Sequence, residues 1–356
     1  MASTPSIPLD PSPSSFSASP SSSTSSVFPI SLYNRFQKWR SDLGLPNPGS
    51  VETLQKEVKA VHLTNYAFEG GRADITKSMS MNPLFQVTHS FALGSQNASS
   101  YNFGAIFANE KVFLQGGVDH DGNVNARMNQ GWSGAHVSKM QAQVSQTPGH
   151  NLLQLEHDYN GRDFNVNVKA VNPWPADLTG VFMGSYLQSV TKNLALGTEW
   201  LLQRPTPNTS EIMATYLAKY TSSDKSWIAT AQVQPAGILQ ATYWQKLSEK
   251  VEFGADLQMM AAPMRRDAVA TLGAKYDLRL STFRAQLDST GKVSALLEQR
   301  FTPTFAFLMS GEIDHFKNSA KVGVGVMIES STLTQEEMEM QMQQMQMQQQ
   351  TPPPPL

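Results

Sequence analysis

The feature that most constrains this chain is an alternation of apolar and polar side chains that continues, broken only by turn residues, from about His62 to Glu329. In the last repeat, residues 321–329, three valines and an isoleucine alternate with lysine, glycine, methionine and glutamate. Strand side chains point to opposite faces in turn, so this period of two predicts strands with one apolar face. Turn-forming Gly, Pro, Asn and Asp divide the region into about nineteen strands of roughly 8 to 13 residues, which predicts an all-β protein.

The length of this strand series limits how the sheet can end. A long antiparallel meander cannot stay open, because its twist curls it and its edges must be paired or covered. A soluble closed barrel of this circumference would need a packed interior, whereas the less apolar face here carries Asn, Gln, Gly, Lys, Asp and Glu. The pattern therefore predicts a transmembrane antiparallel β-barrel with lipid outside and water inside. On the residues alone, a soluble all-β binding or scaffold protein stays open as an alternative.

Composition argues against several classes of function. The chain has no cysteine, and no apolar run reaches the roughly 18 to 20 residues of a membrane helix. The net charge is −2 and no basic cluster is interleaved with aromatic residues, so we expect no nucleic-acid partner. The histidines show no HExxH spacing and no GxSxG motif occurs, so we expect no enzyme, no cofactor and no metal site. Asp119-His120-Asp121 could hold a metal, but at a hairpin tip it is more simply a solvated turn.

Two short amphipathic helices are predicted ahead of the strands. The apolar stripe of the first consists of Leu32, Phe36, Trp39 and Leu43. The apolar stripe of the second consists of Val51, Leu54, Val58 and Val61. Ser50 is its expected N-cap, and Glu52 and Lys56 have the spacing of an i,i+4 ion pair. A core-packing role for the second helix is favoured over a pore-lining role.

Changes in character along the chain predict four segments. They are a disordered Ser/Pro-rich extension at 1–30, amphipathic helices at 31–60, the barrel at 61–329 and a Met/Gln-rich tail at 330–356.

Following the alternation inward predicts a lumen lined by charged side chains. The acidic members are Asp119, Glu252, Asp256, Asp288, Glu298, Glu312 and Asp314. The basic members are Arg127, Lys169, Lys219, Lys275, Arg284 and Lys321. Carboxylates along a pore attract cations, including basic amphipathic peptides. An equally supported alternative is that a wet wall carries mixed charge only to stay hydrated.

Several motifs resemble the pore subunit of the TOM complex, the protein translocase of the mitochondrial outer membrane, and more narrowly its fungal members. The likeness runs from about Leu43 to Glu329. Its most specific pieces are residues 47–52, Arg72-Ala73-Asp74, residues 81–86 and the hairpin 115–125 with Val118-Asp119-His120-Asp121. The closing strand fits as well, since Lys321, Gly323, Val326 and Ile328 match the family's β-signal of polar, any, Gly, any, any, apolar, any, apolar.

This resemblance implies a nineteen-stranded barrel whose first and last strands are parallel, with the helical segment after Pro48 inside the lumen. It implies passage of unfolded precursor proteins and their presequences, receptor and small helical subunits as partners, and dimeric pores among membrane lipids. Asp119 and Asp121 match the family's acidic precursor-contacting patch, and the β-signal residues would serve membrane insertion. The rival expectation is the related voltage-dependent anion channel, which is typically shorter, begins almost at its helix and favours anions.

Overall fold

The computed structural model describes Arg40 and residues 43–331, except 65, 95–98, 148, 263–264 and 303. The Ser/Pro-rich extension, nearly all of the first predicted helix and the Met/Gln-rich tail lie outside the described residues. Of the two compact units in the chain, Met1–Gly44 and Leu45–Leu356, the second contains every element considered below.

The described chain is dominated by strands, β1 to β19 in chain order. They span Gly70–Met81, Leu84–Leu93, Ser100–Ala108, Val112–Asp119, Val124–Gly131, His136–Val144, Leu152–Asn160, Phe164–Trp174, Thr179–Ser189, Leu194–Thr206, Thr209–Thr221, Trp227–Gln234, Ile238–Lys246, Val251–Ala262, Arg265–Asp277, Ser281–Asp288, Lys292–Thr302, Phe305–Asp314 and Ser319–Ser331. Ahead of them are a 3-10 turn, Val51–Thr53, and a short helix α1, Lys56–Val61. Within the described residues no helix is long and apolar enough to span a bilayer.

The strands form one closed sheet. Each strand pairs with its sequence neighbours in antiparallel fashion, and β1 also pairs with β19 in parallel, from Gly70 opposite Gly323 to Ser78 opposite Ser331. An odd number of alternating strands leaves the first and last strands running the same way, so closure can only be parallel. The all-β class, the nineteen strands and the parallel closure are confirmed.

Most apolar side chains of the sheet point outward. In β19, Val322 and Val324 are 65% and 44% exposed, whereas Gly323 and Gly325, which alternate with them, are buried on the inner face. The same alternation passes from strand to strand, because cross-strand partners share a face. The outer surface is therefore largely apolar, as a lipid-facing wall requires.

The first strand begins later than the sequence predicted. Alternation was expected from about His62, but β1 starts at Gly70. The described residues in between are not paired into the sheet. Leu63 donates its backbone N–H to Gln286 Oε1 at 2.7 Å, and the Phe68 N–H lies 3.4 Å from Ser310 Oγ. An extended segment that packs across the barrel wall shows the same alternation of apolar and polar side chains as a strand. The sequence pattern alone therefore could not distinguish this segment from a strand.

Candidate functional site

The interior of the barrel is crossed once by the segment from Pro46 to Phe68, here called the inner segment. It starts at the rim formed by the turns after odd-numbered strands, the near rim. There Asn47 Nδ2 donates to Gly161 O at 2.6 Å and Ser189 Oγ donates to Pro46 O at 2.6 Å. The segment ends at the opposite rim, the far rim, where β1 begins.

The inner segment is held against the wall by close packing. Leu54 is buried in a cluster with Leu187, Ala195 and Leu217 on β9 to β11. Further along, Val61 and His62 lie over glycines of β14 and β15. A Cβ on Gly273 would come within 2.6 Å of the His62 ring. The second predicted helix therefore has both of the roles considered for it: it packs against the barrel wall, and it also lines the pore.

The predicted second helix is interrupted near its start. The sequence indicated one helix capped by Ser50, but a 3-10 turn precedes α1, and the Ser50 side chain makes no capping bond to a backbone N–H. The predicted Glu52–Lys56 pair is wrong as well. The Glu52 carboxylate instead reaches two wall lysines, Lys139 Nζ at 3.2 Å and Lys169 Nζ at 3.1 Å.

These lysines belong to a lysine–carboxylate cluster on the inner wall, made of Glu52, Lys139, Glu156, Asp158 and Lys169. Lys139 Nζ lies 2.6 Å from both a Glu156 and an Asp158 oxygen, and these two carboxylates are nearly buried. Burial raises the pKa of Glu52, but the two lysines outweigh it, so that its pKa lies below the usual value. Glu52 is therefore ionised at neutral pH and fixes the inner segment electrostatically.

The strand register puts seven sequence-predicted carboxylates on the inner face, distributed along the pore. Asp119, Asp288, Glu312 and Asp314 lie toward the far rim, Glu252 lies toward the near rim, and Asp256 and Glu298 lie between them.

Three of these carboxylates have basic side chains as neighbours. Glu252 is opposite Lys275 and accepts from Trp244 Nε1 at 3.4 Å. Glu298 lies 3.3 Å from Arg300 Nε and Glu312 lies 3.6 Å from Lys292 Nζ, measured to their carboxylate oxygens. The lumen is thus lined by mixed charges rather than by a ring of acid.

The other carboxylates bond mainly to neutral groups. Asp256 accepts from Gln258 Nε2 at 3.0 Å and Asp288 from the Thr290 N–H at 3.2 Å. Asp314 accepts the N–H groups of Phe316 and Lys317 at 3.1 and 2.9 Å, so it also stabilises its own turn.

Asp119, His120 and Asp121 lie together at the β4–β5 turn. Asp119 Oδ1 is 2.7 Å from His120 Nδ1, and Asp121 Oδ1 is 3.3 Å from His120 Nε2. The hydrogen bond with Asp119 raises the pKa of His120 above its ordinary value. Their ligand atoms lie within 4.8 Å of one another, but both ring nitrogens already face a carboxylate, which is the arrangement of a protonated imidazole between two acids.

Comparison with known proteins decides the family. A profile of the eukaryotic porin family matches residues 47–323. Mitochondrial import receptor subunit TOM40 of Saccharomyces cerevisiae is 41% identical over 336 residues, which cover 89% of this chain and 86% of that protein. This chain belongs to the TOM40 family of eukaryotic porins.

Other TOM40 proteins extend the likeness. The Neurospora crassa protein is 41% identical, with 84% of this chain and 88% of that protein covered. The human homolog is 31% identical, with 80% and 79% covered. Identity is thus higher to these two fungal proteins than to the human one. These matches confirm the resemblance to the translocase pore and not the alternative of a voltage-dependent anion channel. The barrel is a mitochondrial outer-membrane protein.

The closing strand of this TOM40-family barrel carries the four residues predicted as the β-signal on both of its faces. Lys321 points inward, with Nζ 3.5 Å from a Glu69 oxygen. Gly323 also faces inward, where a Cβ would lie 2.3 Å from Phe68 O. Val326 and Ile328 are on the outer face, opposite Ala73 and Ile75 of β1.

Sequence reasoning overlooked most of the lysine–carboxylate cluster. Only Lys169 was among the predicted lumen residues, although Glu156 and Asp158 are two positions apart and alternate with apolar Leu155 on β7. That pattern could have identified both carboxylates. The contact between Glu52 and this cluster could not have been predicted from local sequence. Glu52 lies 87 residues before Lys139 and 117 residues before Lys169 in the chain.

Proposed function

We propose that this protein is the core pore of the TOM complex and conducts unfolded precursor proteins across the mitochondrial outer membrane. The observation that carries the proposal is a closed nineteen-stranded barrel with a parallel seam and a charged inner wall, in a chain 41% identical to proteins named import receptor subunits. An extended polypeptide needs a continuous wet path, and a polar wall supplies hydration along the whole pore.

Within this pore, we propose that a set of carboxylates contacts the basic presequences of precursors. The set consists of Asp119, Asp121, Glu252, Asp256, Asp288, Glu298, Glu312 and Asp314. Two features support it. The carboxylates extend from one rim to the other, so an extended basic chain would meet several in succession, and the long-range field of such groups concentrates cations.

The remaining expectations belong to the same proposal. Lys321, Gly323, Val326 and Ile328 would form the β-signal read during membrane insertion. Receptor subunits, small helical subunits, lipids and a second barrel would contact the outer surface. The chain would be organised as an extension at 1–30, a helical region from 31 through α1, the barrel from β1 at Gly70 to β19 at Ser331, and a tail after it.

Recording from the purified protein in a planar bilayer tests the pore assignment. We expect preference for cations in a KCl gradient and transient block by a synthetic basic presequence peptide. The double variant Asp256→Asn with Glu298→Gln should lower both cation preference and peptide block. Glu110→Gln, which removes one exposed carboxylate from the β3–β4 turn, serves as a matched control and should change neither. Anion preference without any peptide response would refute the proposal.

A further inference from the structure

A cavity of about 410 Å³ lies at the near rim, where the inner segment enters the barrel. Three elements enclose it: Pro46–Pro48 of the inner segment, the β9–β10 turn and the β11–β12 turn. Inward-facing positions of β10 to β12 form its floor. The cavity is thus built from both the wall and the inner segment.

The lining of this near-rim cavity is basic and polar. Lys192, Lys219 and Lys225 come from three different positions around it, and no carboxylate is among its lining residues. The lining hydroxyl and amide side chains are Asn47, Ser189, Thr191, Asn193, Thr221, Ser222 and Ser223. Lysines on separate elements can converge on one anion, and hydroxyl groups can complete its hydrogen bonds.

The two turns that carry these groups are braced before any ligand is bound. Asn193 Nδ2 donates to Thr221 O at 2.8 Å and to Ser223 Oγ at 3.1 Å, which ties one turn to the other. Thr191 Oγ1 accepts the Leu194 N–H at 3.0 Å. These bonds fix the backbones of both turns, so anion binding would have to order mainly the lysine side chains.

Backbone strain at Lys225 gives a second, independent indication. Its φ is +53°, in the left-handed region where Gly and Asn are usual and a lysine is disfavoured. A strained position in the cavity lining is thus occupied by a charged side chain rather than by a residue that relieves the strain. Such outliers are concentrated at functional sites.

From these observations we propose that the near-rim cavity binds a phosphate-type oxyanion, either free or as the headgroup of an anionic lipid. Lys219 Nζ already donates to Pro48 O at 3.1 Å and keeps two further N–H donors. An anion held by Lys192, Lys219 and Lys225 would therefore lie beside the start of the inner segment and stabilise its docking. This inference does not depend on what passes through the pore.

Titration of the purified, detergent-solubilised full chain with pyrophosphate, followed by calorimetry at low salt, tests the site. We expect one saturable site per barrel in the unmodified chain. The double variant Lys192→Gln with Lys225→Asn should bind at least about tenfold more weakly, since each lysine contributes one charge-assisted contact. Asparagine tolerates the left-handed backbone at position 225, so weaker binding by this variant would not stem from a distorted turn.

Lys250→Gln is the matched control, because Lys250 is an exposed lysine of the β13–β14 turn at the same rim but does not line the cavity. It should change affinity less than twofold. Absence of saturable binding at millimolar pyrophosphate would overturn the proposal. So would an equal loss in Lys250→Gln, which would indicate diffuse surface charge.

Hydrogen exchange supplies a second readout and separates the two sources of anion. Pyrophosphate should slow exchange over residues 46–54 in the unmodified chain and not in the double variant; no change in the unmodified chain would contradict coupling to the inner segment. In nanodiscs of phosphatidylcholine with added phosphatidic acid, competition with pyrophosphate would assign the site to a lipid headgroup. Undiminished pyrophosphate binding there would assign it to a free anion.

Discussion

At the residue scale, Gly323 shows how one missing side chain shapes the seam of the barrel. A Cβ at this position would lie 2.3 Å from Phe68 O and 2.8 Å from the Phe68 ring, so even alanine must displace the end of the inner segment. We expect Gly323→Ala to cost about 1 to 3 kcal/mol of unfolding free energy, the usual range for overpacking. Denaturant unfolding of the refolded protein in detergent micelles measures this loss.

Gly311→Ala is the control for that experiment. Gly311 lies on the neighbouring strand β18, and no heavy atom lies within 4 Å of its added Cβ. Its substitution should leave stability nearly unchanged. If Gly323→Ala unfolds like the unmodified protein in micelles but fails to insert in mitochondria, the glycine acts through recognition of the β-signal rather than through packing.

Glu52 is the second residue whose role can be isolated. Glu52→Gln removes both ion pairs to Lys139 and Lys169, and we expect faster hydrogen exchange across residues 50–63. The effect on overall stability should be no more than about 1 kcal/mol, because the carboxylate is partly solvated and screened. Lys56→Gln tests the pair predicted from helical spacing and should leave exchange unaltered. Equal acceleration by both variants would contradict the cross-barrel assignment.

At the scale of elements, the docking of α1 on β14 and β15 should depend on pH through His62. Burial lowers the pKa of His62, while its contact with Gly254 O at 3.4 Å and nearby Asp256 oppose that shift. The undocked segment then binds more protons, so docking is fully favourable above the ordinary histidine pKa of about 6.5. Docking becomes less favourable as the pH falls from about 6.5 through the lowered pKa of the docked His62.

Proteolysis of the inner segment should therefore be faster at pH 5.5 than at pH 7.5. His62→Gln keeps a side-chain donor for Gly254 O but cannot titrate, so its digestion rate should vary much less between these two pH values. Identical pH dependence in both proteins would exclude His62 as the responsible group.

The same element shows where sequence reasoning succeeds and where it stops. The burial of Leu54, Val58 and Val61 was predicted from helical spacing, because a stripe of apolar residues needs a surface to cover. The period of two likewise predicted which residues of β19 face lipid. The wall surface that α1 packs against was not predictable. It is formed by Gly254 of β14 and Gly273 of β15, and in the sequence these glycines show only that two inward-facing positions lack a side chain.

At the scale of the whole molecule, the parallel seam can be tested with disulfides, since the chain has no native cysteine. Ala73 and Val326 are opposite one another in the β1–β19 register. The variant Ala73→Cys with Val326→Cys should form a disulfide under mild oxidation, because its Cα atoms are within bonding reach. A mobility shift on denaturing gels reports it.

A pair out of register provides the comparison. Val324 is opposite Gly71, so Ala73→Cys with Val324→Cys places the two sulfurs two residues apart along the strand and should cross-link several-fold more slowly. Preference for this second pair would mean that the seam is shifted and that the barrel closes differently.

The odd number of strands has a consequence for sidedness. The inner segment crosses the lumen once from Pro46 to the start of β1, and β19 runs parallel to β1 and ends at Ser331. These two crossings run in opposite directions between the two rims. Pro46 and Ser331 therefore face the same compartment, so a protease added to only one side of the membrane would have access to both of these residues or to neither.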